Sequence, residues 1–370
     1  MEKLTDIELT SVQSQEPQHR MVNSNANSIL IQEDDVETPY GNFHVAIQGD
    51  RSKMAILTFH DIGLNHITCF QGFFNFPDIQ QILRHFCVYH VNAPGQEEGS
   101  MHLKPELTTV VNKFDSSRND SLFEFVYPSM EHLAEGIQHI VDHYSIKRFI
   151  GFGVGAGAYI LSEYALEHPE NVDSLVLINS TVGKAGWIEW GYQKLNSWYL
   201  WSGQMTNFTE DYLLWHWFGY KTKYENQDLV HVFREYVKSI NPQNLSLFIE
   251  SYLKRRDLGI VRELDPIKRP HVRTIKCRSI LLVGDDSPHI DQVTDMNGRM
   301  DPQETDFMKI QDCGGMPLEE QPGKVCEAFR LFLQGMGYVP TLRAPKNPAQ
   351  QTRISPHRKD VDFSKIQPVC

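Results

Sequence analysis

The residues best placed to do chemistry lie in Ile150-Gly151-Phe152-Gly153-Val154-Gly155-Ala156-Gly157, an apolar run that passes through glycines into a helical pattern. A strand-to-helix turn of this kind presents a nucleophilic serine when it reads G-x-S-x-G, the small residues being needed because the backbone there is tightly packed. Here the pattern is Gly153-x-Gly155-x-Gly157. Glycine offers no side-chain oxygen or sulfur, so no covalent acyl intermediate forms at this position. Two partners would complete a triad, in chain order acid and then histidine. The acid slot falls in Gly284-Asp285-Asp286-Ser287-Pro288, with Ser287 at the expected third position after Gly284 and Asp285 and Asp286 beside it. The base slot falls in Asp312-Cys313-Gly314-Gly315-Met316-Pro317, where Met316 stands in place of histidine. Gly153, Gly155 and Gly157 therefore read as a degenerate elbow, and Asp285, Asp286, Ser287 and Met316 as degenerate acid and base positions. No catalytic residue is assigned, since a missing base alone removes the proton acceptor that activates a serine.

Two other chemistries compete for the same residues. Gly153-x-Gly155-x-x-Ala158 fits a dinucleotide fingerprint, but that motif needs an acid at the end of the next strand, and Ile178-Asn179-Ser180 has none. His60-Asp61-Ile62-Gly63 offers metal-ligand residue types, yet the pair ends a buried strand and lacks further donors on helices. It fits better a loop that begins His-Gly in hydrolases and whose backbone supplies an oxyanion-hole N–H. His60 reads as structural or, with Asp61, as part of a pocket. The sequence implies no cofactor and no metal site.

The elements that must position these residues alternate. Ile29–Ile31 and Phe43–Ile47 read as a hairpin about Pro39-Tyr40-Gly41, and Met54–His60 as a strand buried on both faces. A helix over Asp78–Phe86 and a strand over Phe86–Val91 follow, then an excursion across 96–127 and a helix to Tyr144 with Ser129 as N-cap. Strand Arg148–Gly151, helix Ala156–Glu167 and strand Asp173–Asn179 continue the rhythm, which implies right-handed crossovers and a mostly parallel sheet. Residues 184–265 are helical, aromatic and strandless; strands Arg278–Gly284 and Asp306–Gln311 and a helix Pro322–Gln334 close the pattern. The expected organisation is an N-terminal polar segment 1–27, a core in two parts (28–183 and 266–339), an inserted helical cap 184–265 and a basic tail 340–370. This is the layout of an α/β-hydrolase fold carrying a cap.

At this level the resemblance becomes specific. His60-Asp61-Ile62-Gly63-Leu64-Asn65-His66, Asn92-Ala93-Pro94-Gly95-Gln96, Gly155–Leu161, Leu177-Ile178-Asn179, Ser251–Leu258, Val283-Gly284-Asp285 and Asp312-Cys313-Gly314-Gly315 resemble the N-myc downstream-regulated (NDRG) family from about residue 30 to about Pro340. The resemblance implies an α/β-hydrolase fold without hydrolytic activity, in cytoplasmic proteins tied to signalling, differentiation, stress response and membrane traffic. Some members carry repeated basic, Ser/Thr-rich tail motifs that are phosphorylated; this tail departs from that pattern, with only Arg353-Ile354-Ser355-Pro356 and nearby basic residues, in which Ser355, followed by Pro356 and close to Arg353, is the candidate phosphosite.

Composition limits the partners. The 370 residues are 41% hydrophobic and carry 47 acids against 35 bases, a net charge of −12. Residues 1–37 account for −6 and residues 341–370 for +4, so the folded body is itself acidic, which excludes DNA or RNA held by phosphate attraction. The basic tail suits an anionic membrane surface, lipid or partner protein. The longest nearly apolar run, Phe149–Leu161, is 13 residues, short of a bilayer span. Six cysteines without a C-x-x-C pair suggest neither a zinc knuckle nor a disulfide framework.

All six tryptophans fall within 31 residues of the insertion, and Trp187, Trp190, Trp198 and Trp201 lie within about 80° on a helical wheel. Such a stripe packs the cap onto the sheet, or lines a pocket above the empty elbow in which Trp187 and Trp190 would join His60 and Asp61, or faces a partner. The expected function is non-enzymatic protein–protein interaction. The alternatives are a sensor of an apolar small molecule or lipid, and a hydrolase with rearranged residues drawn from His60, Asp61, Asp285 and Asp286.

Overall fold

The continuous apolar runs become the inner strands of one twisted sheet. The computed structural model describes residues 19–20, 31–103, 127–186, 199–265, 267–268 and 271–338. The strands are β1 (His19–Arg20), β2 (Ile31–Thr38), β3 (Gly41–Gly49), β4 (Met54–Phe59), β5 (Phe86–Val91), β6 (Phe149–Val154), β7 (Val172–Ile178), β8 (Arg278–Gly284) and β9 (Thr305–Ile310). Their order across the sheet is β1-β2-β3-β5-β4-β6-β7-β8-β9, antiparallel as far as the β3–β5 pairing and parallel from β5 onward. β5 and β6 are buried at every residue, as expected for strands covered on both faces.

The N-terminal hairpin departs from its sequence reading. The strand opposite β3 runs Ile31–Thr38, beyond the apolar triplet Ile29–Ile31, of which residues 29 and 30 lie outside the described residues. It carries Glu33, Asp34 and Asp35, and only Val36, opposite Phe43, is buried. Backbone pairing to β3 holds this strand, so its polar side chains concealed it from any apolar pattern.

Helices flank the sheet: α1 (Pro77–Leu83), α2 (Met130–His143), α3 (Ala156–Glu167), α4 (Asn207–Glu225), α5 (Gln227–Val237), α6 (Pro242–Leu253), α7 (Ile290–Arg299), α8 (Pro317–Glu320) and α9 (Pro322–Gly335). Ser129 caps α2 by accepting from the His132 N–H at 3.2 Å. α3 is buried from Ala156 through Ala165 and forms the spine of the core. Between β7 and β8 stand α4, α5 and α6, capped by Thr206, Asn226 and Asn241. α4 is kinked at Gly219 (φ 72°, ψ −168°), which leaves His216 and Trp217 in its first half directed onto the sheet loops. Among the described residues no helix is long and apolar enough to cross a membrane. The five cysteines among them are unpaired.

Candidate functional site: an oxyanion hole filled from within

β6 delivers the chain to Gly155, which adopts φ 53°, ψ −113° before α3 begins. This left-handed turn favours glycine. An ideal Cβ on Gly155 would lie closer than 3.0 Å to Oδ1, Cγ and Oδ2 of Asp61. The carboxylate of Asp61 thus occupies the space a nucleophile's side chain would need. A Cβ on Gly157 would likewise fall inside 3.0 Å of the Phe59 carbonyl, and one on Gly153 inside 3.0 Å of the Ala158 backbone.

Asp61 follows β4 and is buried. Its Oδ1 accepts from the Ile62 N–H at 2.7 Å and from the Ala156 N–H at 2.8 Å. These are the amide after the elbow residue and an amide of the loop after β4, the two donors that make an oxyanion hole in this kind of turn. Oδ2 accepts from His216 Nε2 of α4 at 3.0 Å. Burial raises the cost of the charged carboxyl, but the charge and hydrogen bond of His216, with His289 and the Ala156 amide, hold it below the ordinary aspartate value. Asp61 borders a gap of only about 10 Å³, shared with Met316, Val154 and Trp217, which leaves no room for a substrate.

The remaining slots are occupied structurally. Ser287 is buried and donates to Asn179 Oδ1 at 3.2 Å, while Asn179 Nδ2 donates to the Gly315 carbonyl at 2.6 Å. Asp285 accepts from the Cys313 N–H at 3.1 Å, and Asp286 pairs with Lys221 of α4 at 2.8 Å near the surface. Met316 is buried, and its loop wraps around Glu320: Oε2 accepts from Gly314 N–H at 2.8 Å and from Thr222 Oγ1 at 2.6 Å, and Oε1 from Met316 N–H at 3.0 Å. His60, fully buried, donates from Nδ1 to the Asp61 carbonyl (2.8 Å) and accepts at Nε2 from the Ala93 N–H (3.0 Å). Both nitrogens are committed to backbone, and burial pushes its pKa down to about 4. His60 is therefore a neutral structural histidine and leaves the set of expected pocket residues.

Residues 33–340 match the family model described as the Ndr family. The chain belongs to the Ndr family. Among its relatives, Protein NDRG3 of Xenopus laevis is 40% identical over 348 residues, covering 92% of this chain and 85% of that one. Protein NDRG1 of Xenopus tropicalis is 40% identical over 341 residues, covering 90% and 79%. Similar solved structures include a thermophilic esterase from Thermogutta terrifontis, with TM-score 0.61, 16% identity and coverage of 82% of this chain and 98% of that one. An enol-lactonase from Burkholderia xenovorans LB400 gives TM-score 0.59 at 14% identity, covering 80% and 97%. At such identities these enzymes establish the α/β-hydrolase fold alone.

A large cavity of this Ndr-family chain adjoins the Asp61 site through His216. It measures about 1070 Å³, and Phe208, Tyr212, Trp215, His216, Tyr252 and His289 are among its lining. His216 belongs to both its wall and the Asp61 site, so the imidazole separates cavity from elbow. Trp187 and Trp190 lie outside the described residues, as does Ser355. Of the other tryptophans, Trp201 is exposed and Trp217 is buried with its Nε1 donating to the Ile62 carbonyl at 3.0 Å. Sequence reasoning missed His216, His289, Asn179 and Glu320. The available signal was Asp61 itself, an acid in the place where the hydrolase loop has glycine.

Proposed function

We propose that this Ndr-family protein acts without catalysis, as a cytoplasmic hydrolase-like body that engages other proteins in signalling, differentiation, stress response or membrane traffic. The observation that carries this reading is the filled hole. The groups that would stabilise an acyl-transfer transition state are bonded to the chain's own Asp61, opposite an elbow with no nucleophile. The partners of its residues weigh against the rearranged-hydrolase alternative: both nitrogens of His60 bind backbone, Asp285 binds Cys313 N–H and Asp286 binds Lys221. Purified protein should turn over p-nitrophenyl acetate no faster than a serum-albumin blank. Turnover that disappears in Asp61→Asn would overturn the reading. Exposed Tyr220 and Tyr224 on α4 offer aromatic contact area for a partner, and Tyr220→Ala/Tyr224→Ala should lower recovery of co-purifying proteins from cells.

The cavity favours a second, compatible reading as a sensor of an apolar small molecule or lipid, because aromatic side chains line a space of ligand size. Thermal-shift screening of lipids and metabolites should then find binders that raise the melting temperature. Binders unaffected by Trp215→Ala would count against this cavity.

A further inference from the structure

Three consecutive residues of the loop after β4 take bonds from the inserted helices. Asp61 Oδ2 accepts from His216 at 3.0 Å, the Ile62 carbonyl from Trp217 Nε1 at 3.0 Å and the Gly63 carbonyl from Tyr236 Oη at 3.0 Å. The first of these differs from the others because its acceptor is charged and is itself anchored, through Oδ1, by the two amides of the hole. One carboxylate therefore joins α3, the β4 loop and α4 at a single buried point.

We propose that the oxyanion hole is retained as a carboxylate-binding site whose resident ligand is Asp61, and that this bound carboxylate is the latch fastening α4 and α5 to the sheet. The proposal rests on the non-catalytic reading of the site and assigns the hole a task within it. Without the carboxylate, the closed arrangement leaves the Ile62 and Ala156 amides and His216 Nε2, all buried, without their shared charged acceptor. Lifting the inserted helices hydrates all three. Closure of the cap and occupation of the hole are thus one equilibrium, and a free small carboxylate of the right size substitutes for the missing side chain.

Hydrogen exchange read by mass spectrometry on the full chain tests this. Asp61→Gly should accelerate exchange of residues 207–237 by about tenfold while β6 and β8 keep wild-type protection. Sodium formate should restore protection in a concentration-dependent way, and sodium chloride at equal ionic strength should not. Wild-type exchange in α4 and α5 of Asp61→Gly, or equal effects of formate and chloride, would overturn the latch. Should Asp61→Gly not be recovered folded, Asp61→Asn carries the test: its amide oxygen still fills the hole, so acceleration should be smaller and confined to α4 and α5. Acceleration shared equally by the strands overturns the proposal. None of these outcomes bears on ester turnover, so the latch and the non-catalytic reading fail separately.

Discussion

The carboxylate of Asp61 stands where a side chain on Gly155 would stand, and its Oδ1 holds the Ala156 amide next to that glycine at 2.8 Å. A nucleophile at 155 and an acid at 61 exclude each other in this backbone. The glycine at 155 and the acid at 61 form a single structural unit, to which His216 adds the third member from 155 residues away in sequence.

On the non-catalytic reading proposed above, a histidine introduced at position 316 brings no chemistry with it. In Met316→His the imidazole takes the place of the buried Met316 side chain, beside amides already bonded to Asp61 and near a glycine at position 155 that offers nothing to activate. Activated-ester assays should show no turnover above background, and urea denaturation a loss of about 1–3 kcal/mol from polar burial and altered packing.

Glu320 is a second carboxylate joint. It accepts from two amides of the Gly314–Met316 loop and from Thr222 of α4. Glu320→Ala leaves three donors without their acceptor and should cost about 2–4 kcal/mol, whereas Glu320→Gln, which keeps one acceptor oxygen, should cost less. Denaturant midpoints at constant slope give both values.

Acid should weaken the fold over a defined window. His60 and His66 are buried, and burial first of all drives both pKa values down from 6.5 to about 4. Their folded values lie below the unfolded value, so between about pH 6.5 and 4 the unfolded chain binds more protons. Stability is fully present above pH 6.5 and falls as pH drops toward 4, by on the order of 3 kcal/mol for each histidine. Asp61, held below the ordinary aspartate value, loses its contribution in the same direction at still lower pH. Urea titrations from pH 7.5 to 4 should show this decline, and His66→Asn should flatten it.

The strands β4 to β8 were legible because each is an apolar run closed by polar or glycine residues, and the Ser129 cap because a hydroxyl preceding a helical period has one use. β2 was misplaced because it is polar and held by pairing. The empty elbow was readable from Gly153, Gly155 and Gly157, but its filling was not: the Asp61–Ala156 and Asp61–His216 bonds span 95 and 155 residues, and no local period encodes them. A pocket above the elbow was one of three readings of the tryptophan stripe, and the wall that His216 shares between the cavity and the Asp61 site was not legible from it.

The most direct test of the central claim, that Asp61 replaces the missing nucleophile in space, is a double-mutant cycle on stability. Gly155→Ala should destabilise the wild-type chain by about 3–4 kcal/mol, through positive φ and collision with the Asp61 carboxylate. In an Asp61→Gly background only the backbone strain remains, so the same substitution should cost about 1–2 kcal/mol, a coupling of about 2 kcal/mol. Costs that agree to within about 0.5 kcal/mol in the two backgrounds would contradict the account.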